Sequence, residues 1–202
     1  MTSELMTGRP FTVVVVCTGN ICRSPLAEQL LRVRFEAAGL PVLVHSAGTM
    51  ALVGHDMTPE IAAISRALGG PGAGHSARQL TESLVAGADL VLTATRQHRK
   101  EVVSLHPRSV RYAYTITQFA RLIDALGRDA GGRPAGLAAL LDEVAATRGF
   151  AVPHATPEID DIVDPYRREQ EVYDEAGRTI DAAVATIVAG LATAVWAQRE
   201  SA

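Results

Sequence analysis

Five residues separate Cys17 from Arg23 in the stretch Val13-Val14-Val15-Val16-Cys17-Thr18-Gly19-Asn20-Ile21-Cys22-Arg23-Ser24-Pro25. Those residue types suit one kind of chemistry. A cysteine attacks as its thiolate. A guanidinium is a planar fork that grips two oxygens of an anion, which lysine does not reproduce. Between them, Thr18, Gly19, Asn20, Ile21 and Cys22 make a short loop, and asparagine and glycine allow the turns that aim several backbone N–H groups at one point. Ser24 and Pro25 suit the start of a helix, whose positive end adds to the pull on an anion. An arginine at a helix start opposes the dipole, so an anion is its natural partner. The implied chemistry is attack of sulfur on the phosphorus of a bound phosphate ester.

The elements that must position these groups follow from periodicity. Residues 11–16 read as a buried parallel strand that carries Cys17 to the carboxyl edge of a sheet, where open α/β folds place their sites. The next helix carries Leu26, Leu30, Val33 and Ala37 on one face, with Ser24 as its cap and Gly39 as its stop. Further strands are expected at 42–44, 90–93 and 110–114. Helical patterns fall between them: Ile61, Ile64 and Leu68; a short helix capped by Thr81; and residues 97–105, stopped at Pro107. This alternation argues for an α/β fold with an open parallel four-stranded sheet, helices on both faces, and the phosphate-binding loop after the first strand. The second half reads as helices over 117–126 and 136–147, a proline- and acid-containing loop over 149–165, and a last helix with Val172, Ala176, Ile180, Ala183, Ile187, Leu191 and Val195 at core spacing. Residues 1–202 are expected to form one domain.

A phenolate leaving group needs a proton, so a general acid should stand over the loop. Asp164 is the best candidate, because Pro165 restricts it to extended geometry and fixes the direction in which it projects. Asp160 and Asp161 read as a solvated acidic loop. Tyr166 could wall the cleft and stack on an aromatic substrate. Cys22 has two readings: a partner for a reversible disulfide with Cys17, or a small apolar plug beneath the loop.

The run from Val16 to Glu28 resembles the signature V-C-x-G-N-x-C-R-S-P-x-A-E of the low-molecular-weight protein tyrosine phosphatases. Asp164-Pro165-Tyr166 is similar to that family's acid motif, also late in the chain. The resemblance implies a metal-independent phosphatase without cofactor, in which Cys17 forms a phosphocysteine, Arg23 clamps phosphate, and Asp164 serves as acid and then base. It also implies that Ser46, in Ser46-Ala47-Gly48-Thr49, and His75, in His75-Ser76-Ala77-Arg78, pin the Asn20 side chain and so support the loop. Where the family often has an aromatic second wall, this chain offers Met50 and Leu52. Residues 127–156 are longer than the family usually has there, as a cover for the cleft or as an idle insert.

Substrate choice within the resemblance leaves alternatives. A protein-arginine phosphatase branch carries threonine where Ile21 stands, although the segment 90–99 has that branch's flavour. A thiol-dependent arsenate reductase on the same fold usually has glutamine in place of Pro25, and its relay form needs a cysteine outside the loop, which this chain lacks. The partner implied is a phosphotyrosine protein, such as an autophosphorylating tyrosine kinase.

Bulk properties narrow the rest. The chain has 202 residues, 48% of them hydrophobic, and a net charge of −3. It has no basic field for nucleic acid or anionic membrane. No window is expected to be apolar enough to span a membrane. The first ten residues lack the apolar core of a signal peptide. Cys17 and Cys22 are its two cysteines, which fits a reducing cytoplasm. The histidines at 45, 55, 98, 106 and 154 show no metal-ligand spacing.

Overall fold

The computed structural model describes residues 9–128, 134–150 and 157–200. Its centre is β1 (Phe11–Cys17), whose valines are buried on both faces of the sheet. Val13 and Val15 enter one core, and Val14 and Val16 enter another. A strand covered on both sides needs no apolar–polar alternation, so its continuous valine run is what that position demands.

β2 (Val42–Gly48) and β3 (Leu90–Thr93) flank β1, and β4 (Ala113–Thr115) lies outside β3. All pairs are parallel, in the order β2-β1-β3-β4. The chain passes from β1 to β2 on one side and then to β3 on the other. The switch of direction therefore falls at the carboxyl end of β1, the crevice where such sheets bind ligands.

α1 (Arg23–Ala37), α2 (Pro59–Ala67), α5 (Ile116–Arg128), α6 (Leu137–Phe150) and α7 (Gln170–Glu200) build the larger core; Val85 of α3 (Glu82–Ala86) and Val102 of α4 (Arg96–Leu105) enter the smaller one. Thr58, Thr81 and Thr95 cap α2, α3 and α4, each accepting from an amide three residues on.

Several expectations shift. α1 has Cys22 at its cap position with no side-chain bond; Ser24 sits inside the first turn, turned to Cys17. Its buried face runs through Leu26, Leu30, Leu31 and Phe35, leaving Val33 and Ala37 exposed. The fourth strand does not begin at Val110. Residues Pro107–Arg111 close a 3-10 turn, in which Ser109 N donates to His106 O and Tyr112 N to Ser109 O. Only from Ala113 does the chain join the sheet.

α7 also corrects the membrane expectation. By length and composition it is the one described helix that could cross a bilayer. Its apolar face, including Ile180, Val184, Ile187 and Leu191, instead belongs to the main core, where α1 and α5 pack on it. As for the insert, Leu140 and Val144 of α6 join that same core, and no described residue of α6 lines the cavity over Cys17. Parts of the expected insert, residues 129–133 and 151–156, lie outside the described residues.

Candidate active site

β1 ends at Cys17 and α1 begins at Arg23, so the loop between them is stretched over two rigid supports. Its carbonyls are tied outward one after another. Cys17 O accepts from Thr49 N at 2.9 Å, Thr18 O from Met50 N at 3.0 Å, Gly19 O from Leu52 N at 3.0 Å, and Ile21 O from Thr58 N at 3.0 Å. Asn20 O accepts from His75 Nε2 at 2.6 Å. In a trans peptide the N–H points opposite to the preceding C=O, and the described backbone contains no cis bond. Five carbonyls facing out therefore turn the amides of Thr18 through Cys22 inward, which makes an anion cup of main chain.

Cys17 lies in this cup, 2% exposed, with its Sγ 3.0 Å from Ser24 Oγ. Ser24 Oγ already accepts from Asn20 Nδ2 at 2.9 Å. Its own hydrogen is then free to point at the sulfur.

Asn20 holds the left-handed backbone that the loop requires, with φ 55°. Fully buried, it spends its side chain on the loop's neighbours: Nδ2 also donates to Ser46 Oγ at 2.8 Å, and Oδ1 accepts from Arg78 N at 2.9 Å. Ser46 thus meets the Asn20 side chain as the resemblance implies, whereas His75 reaches the Asn20 main-chain carbonyl and the Arg78 amide takes the side-chain oxygen in its place. Because a carbonyl only accepts, the His75 hydrogen facing Asn20 is on Nε2.

Behind them is Glu28, a residue to which the sequence reading gave no role. It is buried, accepts from Ser46 Oγ, and pairs with Arg32 at 2.6 Å; His75 Nδ1 and Arg78 Nη2 lie 4.0 and 3.9 Å away. A signal was available, since Glu28 lies within the signature and one helical turn beyond Ser24. Gly48 closes the support: a Cβ there would lie 2.3 Å from Thr18 O, so only glycine lets β2 end against the loop.

Arg23 is 4% exposed. Its Nη1 donates to Ile162 O at 3.0 Å and its Nη2 pairs with Asp164 Oδ2 at 2.8 Å. Its Nε is buried with no partner among the described residues, a donor still available to an anion.

The Asp164 side chain is 53% exposed, and its Oδ1 accepts from Tyr166 N at 3.3 Å, a local turn across Pro165. The segment before it is anchored by the acids expected to be solvated. Asp160 is buried and pairs with Arg121 at 2.8 Å. Asp161 accepts from Arg96 N at 2.7 Å and pairs with its guanidinium at 3.1 Å. Both partners come from distant helices, which is why local sequence made these residues look free. Main chain completes the anchor: Ala94 N donates to Val16 O at 2.8 Å, and Ala94 O accepts from Ile162 N at 2.9 Å.

The resulting cavity holds about 190 Å³. Cys17, Arg23 and the loop form its floor, with Thr18, Gly19, Ile21 and Cys22 among its lining; Met50, Leu52, Asp164 and Tyr166 surround its mouth. Every residue expected in the nucleophile loop or walls thus meets here, or supports the loop from behind. Met50, 70% exposed, is the least enclosed of them. A larger cavity of about 370 Å³ lies at the other end of β1, beside Phe11, Leu137 and Val195; no cysteine, serine or histidine lines it.

Cys22 is buried against Thr58, Sγ to Oγ1 3.9 Å, and burial pushes its thiol up to about 12. It rests there as a protonated, apolar filler. Among the described residues, no group of three or more His, Cys, Asp or Glu is placed to hold a metal ion.

The chain matches the family model described as low molecular weight phosphotyrosine protein phosphatase over residues 12–130. It is 44% identical to the probable low molecular weight protein-tyrosine-phosphatase EpsP of Ralstonia nicotianae over 97 residues, 48% of this chain and 63% of that protein. It is 37% identical to the protein-arginine-phosphatase of Bacillus subtilis over 109 residues, 53% of this chain and 71% of that protein. The crystal structure of a low molecular weight protein tyrosine phosphatase from T. tengcongensis superposes with a TM-score of 0.65 at 26% identity, covering 89% of this chain and 98% of that one. The match to EpsP therefore spans less than two thirds of that relative's length. Asp164 lies beyond residues 12–130, so its assignment rests on the cleft's geometry and its own motif.

Proposed function

The chain belongs to the low molecular weight phosphotyrosine protein phosphatase family, and from that premise we propose that it hydrolyses protein phosphotyrosine through a phosphocysteine intermediate. The observation that carries this reading is the cup of five inward amides around Cys17, with Arg23 beside it in the floor and Asp164 at the mouth. Binding alone needs neither a nucleophile nor an acid.

In the proposed reaction the phosphoryl oxygens lie on the loop amides and on Arg23, which meet the charge spread over the equatorial oxygens. Cys17 Sγ attacks phosphorus as the bond to the phenolic oxygen breaks, and Asp164 gives that oxygen its proton. Asp164, now a carboxylate, takes a proton from a water that attacks phosphorus. The S–P bond breaks, and inorganic phosphate leaves with Cys17 again a thiolate.

The apolar lining favours an aryl ester. Ile21, Met50, Leu52 and Tyr166 offer faces for a ring, and Asp164 is the one carboxylate among the lining residues. A phosphoarginine substrate is the second reading, prompted by the protein-arginine-phosphatase of Bacillus subtilis among the relatives. The chain is proposed to work in a reducing cytoplasm on a tyrosine-phosphorylated protein, such as a tyrosine kinase.

One comparison decides among these readings: turnover by purified protein, without added metal, of a phosphotyrosine peptide, a phosphoarginine peptide, and arsenate with an external thiol. Highest kcat/KM on phosphotyrosine is expected. Preference for phosphoarginine or for arsenate reduction would replace the substrate, and inactivity on all three would remove the enzymatic reading.

A further inference from the structure

His98 lies outside the machinery described so far, yet it is wired into it. The ring is buried in α4, with Nε2 2.8 Å from Thr18 Oγ1 and Nδ1 2.7 Å from Thr95 Oγ1. Burial, reinforced by the nearby charge of Arg23, pushes its proton affinity down, so the ring is neutral and carries one N–H.

The partners decide which nitrogen holds that hydrogen. Thr95 caps α4, and its Oγ1 already accepts from His98 N at 3.2 Å. Its remaining hydrogen faces Nδ1, the acceptor beside it. The ring hydrogen is then on Nε2 and is donated to Thr18 Oγ1. The opposite tautomer would turn the Thr95 hydrogen away from the ring and that of Thr18 back onto it.

Thr18 is left with a hydroxyl hydrogen of its own, and among the described residues no acceptor other than the His98 ring is bonded to that hydroxyl. Thr18 also lines the cavity with Cys17 and Arg23. The loop's main-chain donors are complete without it. A side-chain hydroxyl held by its acceptor side, at the wall of an anion site, is built to give its hydrogen to what occupies that site.

We propose that Thr18 donates its hydroxyl hydrogen to the bound phosphoryl group, with His98 as the positioning residue that orients it. This rests on the phosphatase reading of the same site. His98 holds Thr18 by one hydrogen bond and is itself held by Thr95, so the orientation is set before substrate arrives and costs no reorganisation during the reaction.

The test measures competitive inhibition by inorganic phosphate together with kcat and KM on para-nitrophenyl phosphate. Thr18→Val should weaken phosphate inhibition about tenfold, the order expected for losing a hydrogen bond to a charged group, whereas Thr18→Ser should keep it. His98→Leu should weaken it in the same direction, and His98→Gln, whose amide can still donate to Thr18, should recover most of the loss. The double variant Thr18→Val/His98→Leu should be no worse than Thr18→Val, because the two residues act through one hydrogen. Unchanged phosphate inhibition in Thr18→Val, or losses that multiply in the double variant, would overturn the proposal. So would a His98→Leu protein that melts earlier with its phosphate affinity intact. Unaltered protein that neither turns over substrate nor responds to phosphate would instead refute the phosphatase reading itself.

Discussion

Arg23 in the cavity floor and Asp164 at its mouth hold each other, Nη2 to Oδ2 at 2.8 Å. The proposed phosphate clamp and the proposed proton donor therefore share a bond that an incoming phosphoryl group would have to compete with. Arg23 is buried and Asp164 half exposed, so the aspartate is the partner free to swing away.

Asp164→Ala separates the two roles. Inorganic phosphate should bind several-fold tighter, because Arg23 loses its competitor and the anion loses a like charge beside it. Turnover of aryl phosphates with poor leaving groups should fall by about 10²–10⁴, the usual share of a general acid, and by much less with para-nitrophenyl phosphate. A leaving-group series and phosphate titration by calorimetry measure both. Equal losses across the series would assign the proton to another residue.

Glu28→Gln keeps the shape of a buried side chain and removes the charge that faces Arg32, His75 and Arg78. Stability should fall by about 1–3 kcal/mol, the cost of weakening charge-assisted buried hydrogen bonds. kcat should fall too, since Ser46 and His75 both hold Asn20. Urea unfolding alongside steady-state kinetics checks the pair of effects.

Gly48→Ala places a methyl group against Thr18 O, where backbone rather than a flexible side chain must yield. Overpacking of this kind costs about 1–3 kcal/mol. Displacement of the loop should make the loss in kcat/KM larger than the loss in stability alone would give. A folded variant with unaltered kinetics would mean that the loop tolerates the shift.

Cys22 bears on oxidation. With its thiol pushed up to about 12, it is almost wholly protonated at neutral pH and attacks an oxidised Cys17 slowly, because the thiolate is the nucleophile. Below that value its thiolate fraction rises about tenfold per pH unit. After peroxide treatment, the share of Cys17 rescued as a Cys17–Cys22 disulfide, rather than lost to higher oxidation, should therefore rise from neutral to alkaline pH. Mass spectrometry of the loop peptide reads the ratio.

The nucleophile loop was legible because its chemistry is contiguous. Cys17 to Pro25 carry their roles within one turn of chain, and the valines before them can only be a doubly covered strand. Asp164 was legible through Pro165, a local restriction. What sequence concealed was pairing across long separations. Asp161 reads as solvated until Arg96 is seen beside it, and His98 reads as an isolated histidine until Thr18 is folded against its ring. Val110 is apolar and by sequence extends the fourth strand to 110, yet the 3-10 turn after Pro107 leaves it exposed. Val33 fitted the spacing of the α1 core face, yet Leu31 and Phe35 took the interior.

Ala94 ties two ends of the chemistry together, its N–H on the carbonyl of Val16 and its C=O on the amide of Ile162. In the proposed reaction, the gap between attacking sulfur and departing oxygen would consequently be measured by a ruler made of peptide units, onto which the side chains are merely hung. Such a ruler is indifferent to what grows elsewhere on the scaffold. That is how a helix as long as α6 can be accommodated beside α5 and α7 without respacing the reaction.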